Sequence, residues 1–407
     1  MRPRARSFVL PTLVAACGVL LLAWMGLKTP AFTDYETEIE PAAQALRAGH
    51  INDFLALLPA YGGSLVLRSP FVFLPDLWGG GYLALFRSLA LPCLAAGAGL
   101  GVYLWAQATR LGRGRMAAWT ALCLCAINPL TLRALETGHP EELLGGALCV
   151  AAALAAARRH PLAAGLLLGL AIANKPWAVL AAIPVALIAP ERRALLLGAA
   201  GAAAAVGLAP LLLAGSPAVT HVGDAGQIFQ PWQVWWFLGE HGHVVRGNFG
   251  VKPDYRAAPG WIGHVARPVV VLLPVALSLA LAPRLRSRPW HDGLLLLVLV
   301  LLLRCVLDPW NVIYYELPFL LALVAWEVHA RDGAPVISLA VTVLCWVTLE
   351  QLTHQVSPDI QAAAFLVWSV PLAVAIGVRL FDPERLRVPL FPQLLQVSVE
   401  GQRGRRA

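Results

Sequence analysis

Apolar runs of about twenty residues return along nearly the whole chain, with little charge within them, and this recurrence limits the possible folds more than any other feature. Hydrophobic residues make up 58% of the 407 and charged residues only 13%, against about 25% charged in soluble domains. In lipid every backbone N–H and C=O must find a partner within a helix or a closed barrel. A barrel would show short alternating strands, whereas these runs are long and rich in Leu, Ala and Val. The expected class is therefore an all-α polytopic membrane protein.

Spans are expected near 8–27, 82–106, 116–134, 142–157, 161–173, 177–190, 194–214, 268–283, 291–306, 313–329, 335–350 and 360–379. That is about twelve helices, within a range of ten to thirteen. The basic start, Met1 to Ser7, precedes an apolar run too long for a signal peptide's h-region, so the run is read as a retained first helix. The spans 161–173 and 177–190 would each reach only about 20 Å at 1.5 Å per residue, short of a hydrocarbon core of about 30 Å. They are expected to be a buried half-helix pair turning at Asn174-Lys-Pro-Trp177, where Pro176 favours a break.

With both termini in the cytoplasm, the Arg-dense short loops fall on one side: Arg110, Arg113 and Arg115; Arg158 and Arg159; Arg192 and Arg193; Arg284, Arg286 and Arg288; and Arg331. This obeys the positive-inside rule and gives the net charge of +8 a topological cause, together with affinity for anionic lipid. No aromatic-basic pattern of a nucleic-acid binder is present. The expected organisation is one transmembrane domain over 1–380 and a basic cytoplasmic tail over 381–407. The seven cysteines all lie in apolar segments and are read as small buried hydrophobes.

The two long loops, 28–81 and 215–267, then fall on the outer face, and the carboxylates follow them. Asp34, Glu36, Glu38 and Glu40 crowd just past the first span. Glu38 and Glu40 read as solvated acids before a short amphipathic helix, Pro41 to Gly49, which they favour through the helix dipole. Asp34 and Glu36 sit closer to the membrane, where partial desolvation raises a carboxylate's basicity.

Several stretches then resemble one known superfamily in their order. These are Thr33-Asp34-Tyr35-Glu36 with the Ala-rich helix ending in Gly49, and Tyr61-Gly-Gly-Ser-Leu-Val-Leu-Arg-Ser-Pro-Phe71. They continue with Gly165-Leu-Leu-Leu-Gly-Leu-Ala-Ile-Ala-Asn-Lys-Pro-Trp177 and Asp308-Pro-Trp-Asn-Val-Ile-Tyr-Tyr-Glu-Leu-Pro318. Over roughly residues 8–330 the chain resembles GT-C integral membrane glycosyltransferases. The likeness is greatest to the polyprenol-phosphate-mannose-dependent mannosyltransferases of actinobacteria.

The resemblance implies plasma-membrane transfer of mannose, or a similar hexose or pentose, from a polyprenyl-phosphate donor to a lipid or glycan hydroxyl on the outer face. The anomeric carbon would be inverted, with no cofactor. The family's base position corresponds to Asp34, and Glu36 takes the second acidic place. An acceptor hydroxyl needs such a base within hydrogen-bond reach. The phosphate leaving group needs cationic or hydrogen-bonding partners instead of a strong acid. Lys175, Arg68, His139, His243, Arg246 and Tyr314 are the candidates for donor phosphate or substrate contact.

Gly138-His-Pro-Glu-Glu142 reads as sugar or acceptor hydrogen bonding, or as a helix cap, in preference to a divalent metal site. Gln230-Pro-Trp-Gln-Val-Trp-Trp-Phe237 reads as an interfacial aromatic belt or a stacking platform. The alternative reading of the chain is a transporter or a lipid or glycan flippase. It would show paired repeats with charges near the bilayer midplane, and no such partner for the Lys175 break is visible in the second half.

Overall fold

The protein's structure, a computed structural model, describes residues 8–26, 34–59, 61–78, 80–214, 230–241, 245–247, 250–252 and 255–382. The expected cytoplasmic tail from residue 383 onward, the loop 215–229 and His243 lie outside the described residues.

The chain is helical, apart from a small antiparallel ribbon of β1 (Val245–Gly247) and β2 (Gly250–Lys252). The first half comprises α1 (Val9–Met25), α2 (Glu40–Arg47), α3 (Ile51–Ala56), α4 (Gly63–Arg68), α5 (Tyr82–Arg110), α6 (Arg115–Ala126), α7 (Pro129–Thr137) and α8 (Glu141–Ala157). There follow α9 (Pro161–Asn174), α10 (Ala182–Ile188), α11 (Arg193–Leu213), α12 (Gly260–Leu285), α13 (Trp290–Leu307), α14 (Leu317–Ala330), α15 (Val336–Trp346) and α16 (Pro358–Phe381).

Among the described residues, six helical stretches are long and apolar enough to cross a membrane: Leu83–Arg110, Arg115–Thr137, Arg193–Leu213, Gly260–Leu285, Trp290–Leu307 and Pro358–Phe381. Shorter apolar helices accompany them at Val9–Met25, Pro161–Asn174, Pro176–Ile188 and Val336–Gln351.

Two expected boundaries shift. The span expected to begin at 268 starts at Gly260, with Pro268, Pro274 and Pro283 inside the helix. Prolines persist inside a membrane helix because neighbouring groups satisfy the backbone they free. The span 116–134 is two helices parted at Asn128, whose side chain accepts from the Leu130 N–H at 2.9 Å and caps α7, with Pro129 in the first turn. Local capping overrode the apolar run.

Of the cysteines, five are buried, but Cys17 and Cys123 lie on exposed faces, which corrects the uniform burial expected. An apolar segment does not say which of its faces meets protein.

Helices α13 and α14 are buried nearly all round and form the centre of the bundle, as hydrophobic residues on every face require. Helices α11, α12 and α16 bury one stripe and turn residues such as Val206, Leu272 and Val367 outward, as lipid-facing helices do. Gly165 and Gly169, four apart on α9, let α11 approach closely. A Cβ at these sites would stand 2.3 Å from the Leu196 carbonyl oxygen and 2.5 Å from that of Ala200. Small residues at this spacing drive close helix packing in membranes.

The Arg-rich loops gather at one end of the bundle. Arg113 pairs with Asp332 and donates to the Val328 and His329 carbonyls. Arg288 donates to the Leu380 carbonyl at 2.6 Å, and Trp290 packs edge-on against His329. Helix α8 leaves this end at Arg158 and reaches Glu141 seventeen residues back, a rise of about 25 Å. Glu141, and with it the candidate site, lies at the opposite end.

Candidate active site

The site is assembled from five separate stretches of the chain, and the C-terminus of α7 sets its geometry. Gly138 ends that helix with φ +96°; its N–H bonds the Leu135 carbonyl, and the next N–H, of His139, bonds Ala134 at 2.7 Å. This is the Schellman arrangement, in which the αL position favours glycine. A Cβ at Gly138 would stand 2.5 Å from the Tyr35 backbone nitrogen, so the turn also lies directly against the acidic segment. Gly138→Ala is expected to destabilise the protein by at least about 1 kcal/mol and to separate His139 from Asp34. A lowered melting temperature in detergent together with reduced activity would show it.

The turn aims His139 at two carboxylates. Its Nε2 lies 2.8 Å from Asp34 Oδ2, and its Nδ1 lies 2.8 Å from Glu141 Oε1. The three form a chain with a graded burial: the Asp34 side chain is 30% exposed, His139 6% and Glu141 0%. Burial alone would lower the imidazole's pKa, but the Glu141 charge and the hydrogen bonds that the ring donates to Asp34 and Glu141 outweigh it, and the pKa is raised from 6.5 to about 9. His139 is therefore an imidazolium at neutral pH, donating to both carboxylates. A neutral ring has one N–H and can satisfy only one of them.

The unfolded chain's imidazole titrates near 6.5, so this contribution to stability is complete below that pH and is lost as pH rises through about 9. The melting temperature is expected to fall across that window in the wild type and to lose most of the dependence in His139→Gln.

Beneath the chain lies a buried ionic cluster. Lys175 Nζ stands 3.0 Å from Glu141 Oε1 and 3.6 Å from Glu142 Oε1, and 3.7 Å over the Tyr61 ring. Arg68 reaches Glu141 Oε2 at 3.4 Å and donates to the Leu89 carbonyl at 3.2 Å. Arg304 grips Glu142 with two bonds of 3.2 Å, between the rings of Trp177 and Tyr315. Trp177 Nε1 donates to Glu142 Oε1 at 3.2 Å.

The break that presents Lys175 is local: the residue before a proline is pushed out of the α region, and Lys175 adopts φ −147°, ψ 125°. Asn174 fixes the break by donating to the Glu141 carbonyl at 2.9 Å and accepting from Ser64 Oγ at 2.8 Å.

The segment after α1 is a π-helical turn, Tyr35–Ile39, a form often found at functional sites. Glu38, four residues from Asp34, comes round to the same side and accepts a hydrogen bond from the Tyr61 hydroxyl. Burial raises its pKa, partly offset by that bond. This corrects the reading of Glu38 as a solvated acid. Glu36 is half-buried on the same turn, and helix spacing sets it about half a turn from Asp34.

The sequence candidates are thus distributed as follows. Asp34, Arg68, His139 and Lys175 meet, and Tyr314 packs on His139 with ring centroids 4.6 Å apart. Arg246 falls on β1. Glu141 and Glu142 are not side-chain caps of α8 but the buried anions of the cluster. Arg304 was missed, although a lone arginine within an apolar run is itself a functional signal. The tryptophans of 230–237 dock their loop inward: Trp232 Nε1 donates to the Thr348 carbonyl, Trp235 Nε1 to that of Leu307 and Trp236 Nε1 to Asp359. Among the described residues, no group of three or more His, Cys, Asp and Glu is placed to hold a metal ion.

The model of glycosyltransferase family 87 matches residues 63–309, more than half of the chain. The chain belongs to glycosyltransferase family 87. This is a family of the GT-C type, so the protein is a membrane-embedded glycosyltransferase with a sugar donor and an acceptor as substrates. The matched segment holds Arg68, His139, Glu141, Glu142, Lys175 and Arg304, while Asp34 and Tyr314 lie outside it. No curated protein matches the chain.

Proposed function

We propose that the family 87 enzyme transfers a sugar, mannose or a similar hexose or pentose, from a polyprenyl-phosphate donor to a lipid or glycan hydroxyl at the outer face of the plasma membrane. The observation that carries this reading is the Asp34–His139–Glu141 chain, with its open carboxylate at the end of the bundle away from the arginines. By the positive-inside rule the arginine end is cytoplasmic, which puts Asp34 outside in a fold of about twelve spans.

Asp34 takes the proton of the acceptor hydroxyl as that oxygen attacks the anomeric carbon. The bond from that carbon to the phosphate oxygen breaks, the polyprenyl phosphate leaves as an anion, and the configuration inverts. His139 orients Asp34, and Glu141 holds His139 charged. Arg68, Lys175, Arg304 and the His139 imidazolium stand among the carboxylates of Asp34, Glu38, Glu141 and Glu142. Cationic side chains suit a phosphate leaving group, and electrostatic stabilisation of its developing charge is strongest in such a dry site. Tyr314 packs on His139 beside Asp34, and Glu36, His243 and Arg246 remain candidates for substrate contact.

The test is proteoliposomes given radiolabelled polyprenyl-phosphate mannose or nucleotide-linked mannose with a membrane-lipid extract. Label is expected in the lipid or glycan fraction from the lipid-linked donor alone. Transfer from the nucleotide sugar would overturn the donor assignment, and lipid movement across the bilayer without transfer would favour a flippase.

A further inference from the structure

Away from the site, a groove of about 360 Å³ opens between α5 and α8 in the half of the bundle nearer the arginine loops. Ala96, Gly99 and Leu100 form one wall and Ala147, Ala151 and Leu154 the other. At its end stand Tyr103, Arg158 and His160, the Arg158 guanidinium lying 4.9 Å over the Tyr103 ring. Arg110 follows Tyr103 by seven residues, two turns along the same face of α5, and no carboxylate lines the groove. The small side chains leave room: a Cβ added at Gly99 would meet nothing within 4 Å. An apolar trough that ends in basic side chains, with no carboxylate in its lining, is complementary to one molecule common in a bilayer, a lipid with a hydrocarbon chain and an anionic headgroup.

We propose that this groove is a binding site for an anionic phospholipid, with one acyl chain between α5 and α8 and the headgroup phosphate held by Arg158 and His160. The apolar walls supply affinity through buried methylenes. The cations supply headgroup selection, since each basic residue near an anionic lipid surface is worth about a fivefold preference. The site is separate from the Asp34 cluster, and its occupancy is independent of the transfer chemistry.

Native mass spectrometry of the full chain, released from detergent with phosphatidylglycerol or phosphatidylcholine in equal amounts, is the test. Wild type is expected to retain phosphatidylglycerol at least about fivefold over phosphatidylcholine. Arg158→Gln, at an exposed helix end, should reduce that preference about fivefold while still retaining a lipid. Gly99→Leu should lose the bound lipid of either kind, because its side chain fills the trough. Equal retention of the two lipids by wild type would overturn the proposal. So would undiminished lipid binding by Gly99→Leu, or a preference unchanged in Arg158→Gln.

Discussion

Asp34→Asn is expected to lower kcat by about 10²- to 10⁴-fold, the range for removing a general base, with little change in donor KM. The amide keeps the size of the carboxyl group, and its oxygen can still accept from His139, so the packing of the turn persists. What disappears is the group that accepts the acceptor's proton. The side chain is partly exposed, and its replacement leaves the buried Glu141 pairs intact, so the melting temperature should stay close to that of wild type. A loss of rate without a loss of fold separates a catalytic Asp34 from a structural one. Parallel losses in both would mean that the carboxylate holds the turn together.

Glu142→Ala should do the reverse, striking stability first. Glu142 accepts two bonds from Arg304 and one from Trp177, and it lies 3.6 Å from Lys175. Its removal strands a guanidinium that is 4% exposed on a helix at the centre of the bundle. Breaking a buried pair by deleting one partner costs about 3–5 kcal/mol, because the other charge stays uncompensated. The double variant Glu142→Ala with Arg304→Leu should recover much of that loss, since the orphaned charge goes too. Thermal unfolding of wild type, Glu142→Ala, Arg304→Leu and the double variant in one detergent measures the coupling. If the single and double variants melt together, Arg304 is not what Glu142 compensates.

These two residues also show what could be read from the chain and what could not. The helices were legible because apolar runs must be satisfied as helices in lipid: the expected 142–157, 194–214 and 291–306 correspond to Glu141–Ala157, Arg193–Leu213 and Trp290–Leu307. The break at Lys175 was legible because a proline follows it. The gathering of Arg68, His139, Lys175 and Tyr314 around Asp34 was suggested only by the order of loose motifs, as the contacts span much of the chain.

The pairings were not legible. Adjacency linked Asp34 with Glu36, but helical spacing brings Glu38 round instead. Glu141 and Glu142 read as substrate hydrogen-bonding groups or a helix cap, and only the tertiary fold shows them enclosed by cations. Arg304 was obscured by the leucines around it, although its isolation among them should have marked it.

The account rests on a single displacement at the anomeric carbon with Asp34 as base, and product stereochemistry tests that most directly. The wild-type protein in proteoliposomes would be supplied with polyprenyl-phosphate mannose of known anomeric configuration, and the product's anomeric proton read by NMR. Inversion is the predicted result, because the acceptor oxygen enters opposite the departing phosphate. Retention would contradict the account, since it requires two displacements through a covalent glycosyl-enzyme, and would recast Asp34 or Glu38 as a nucleophile.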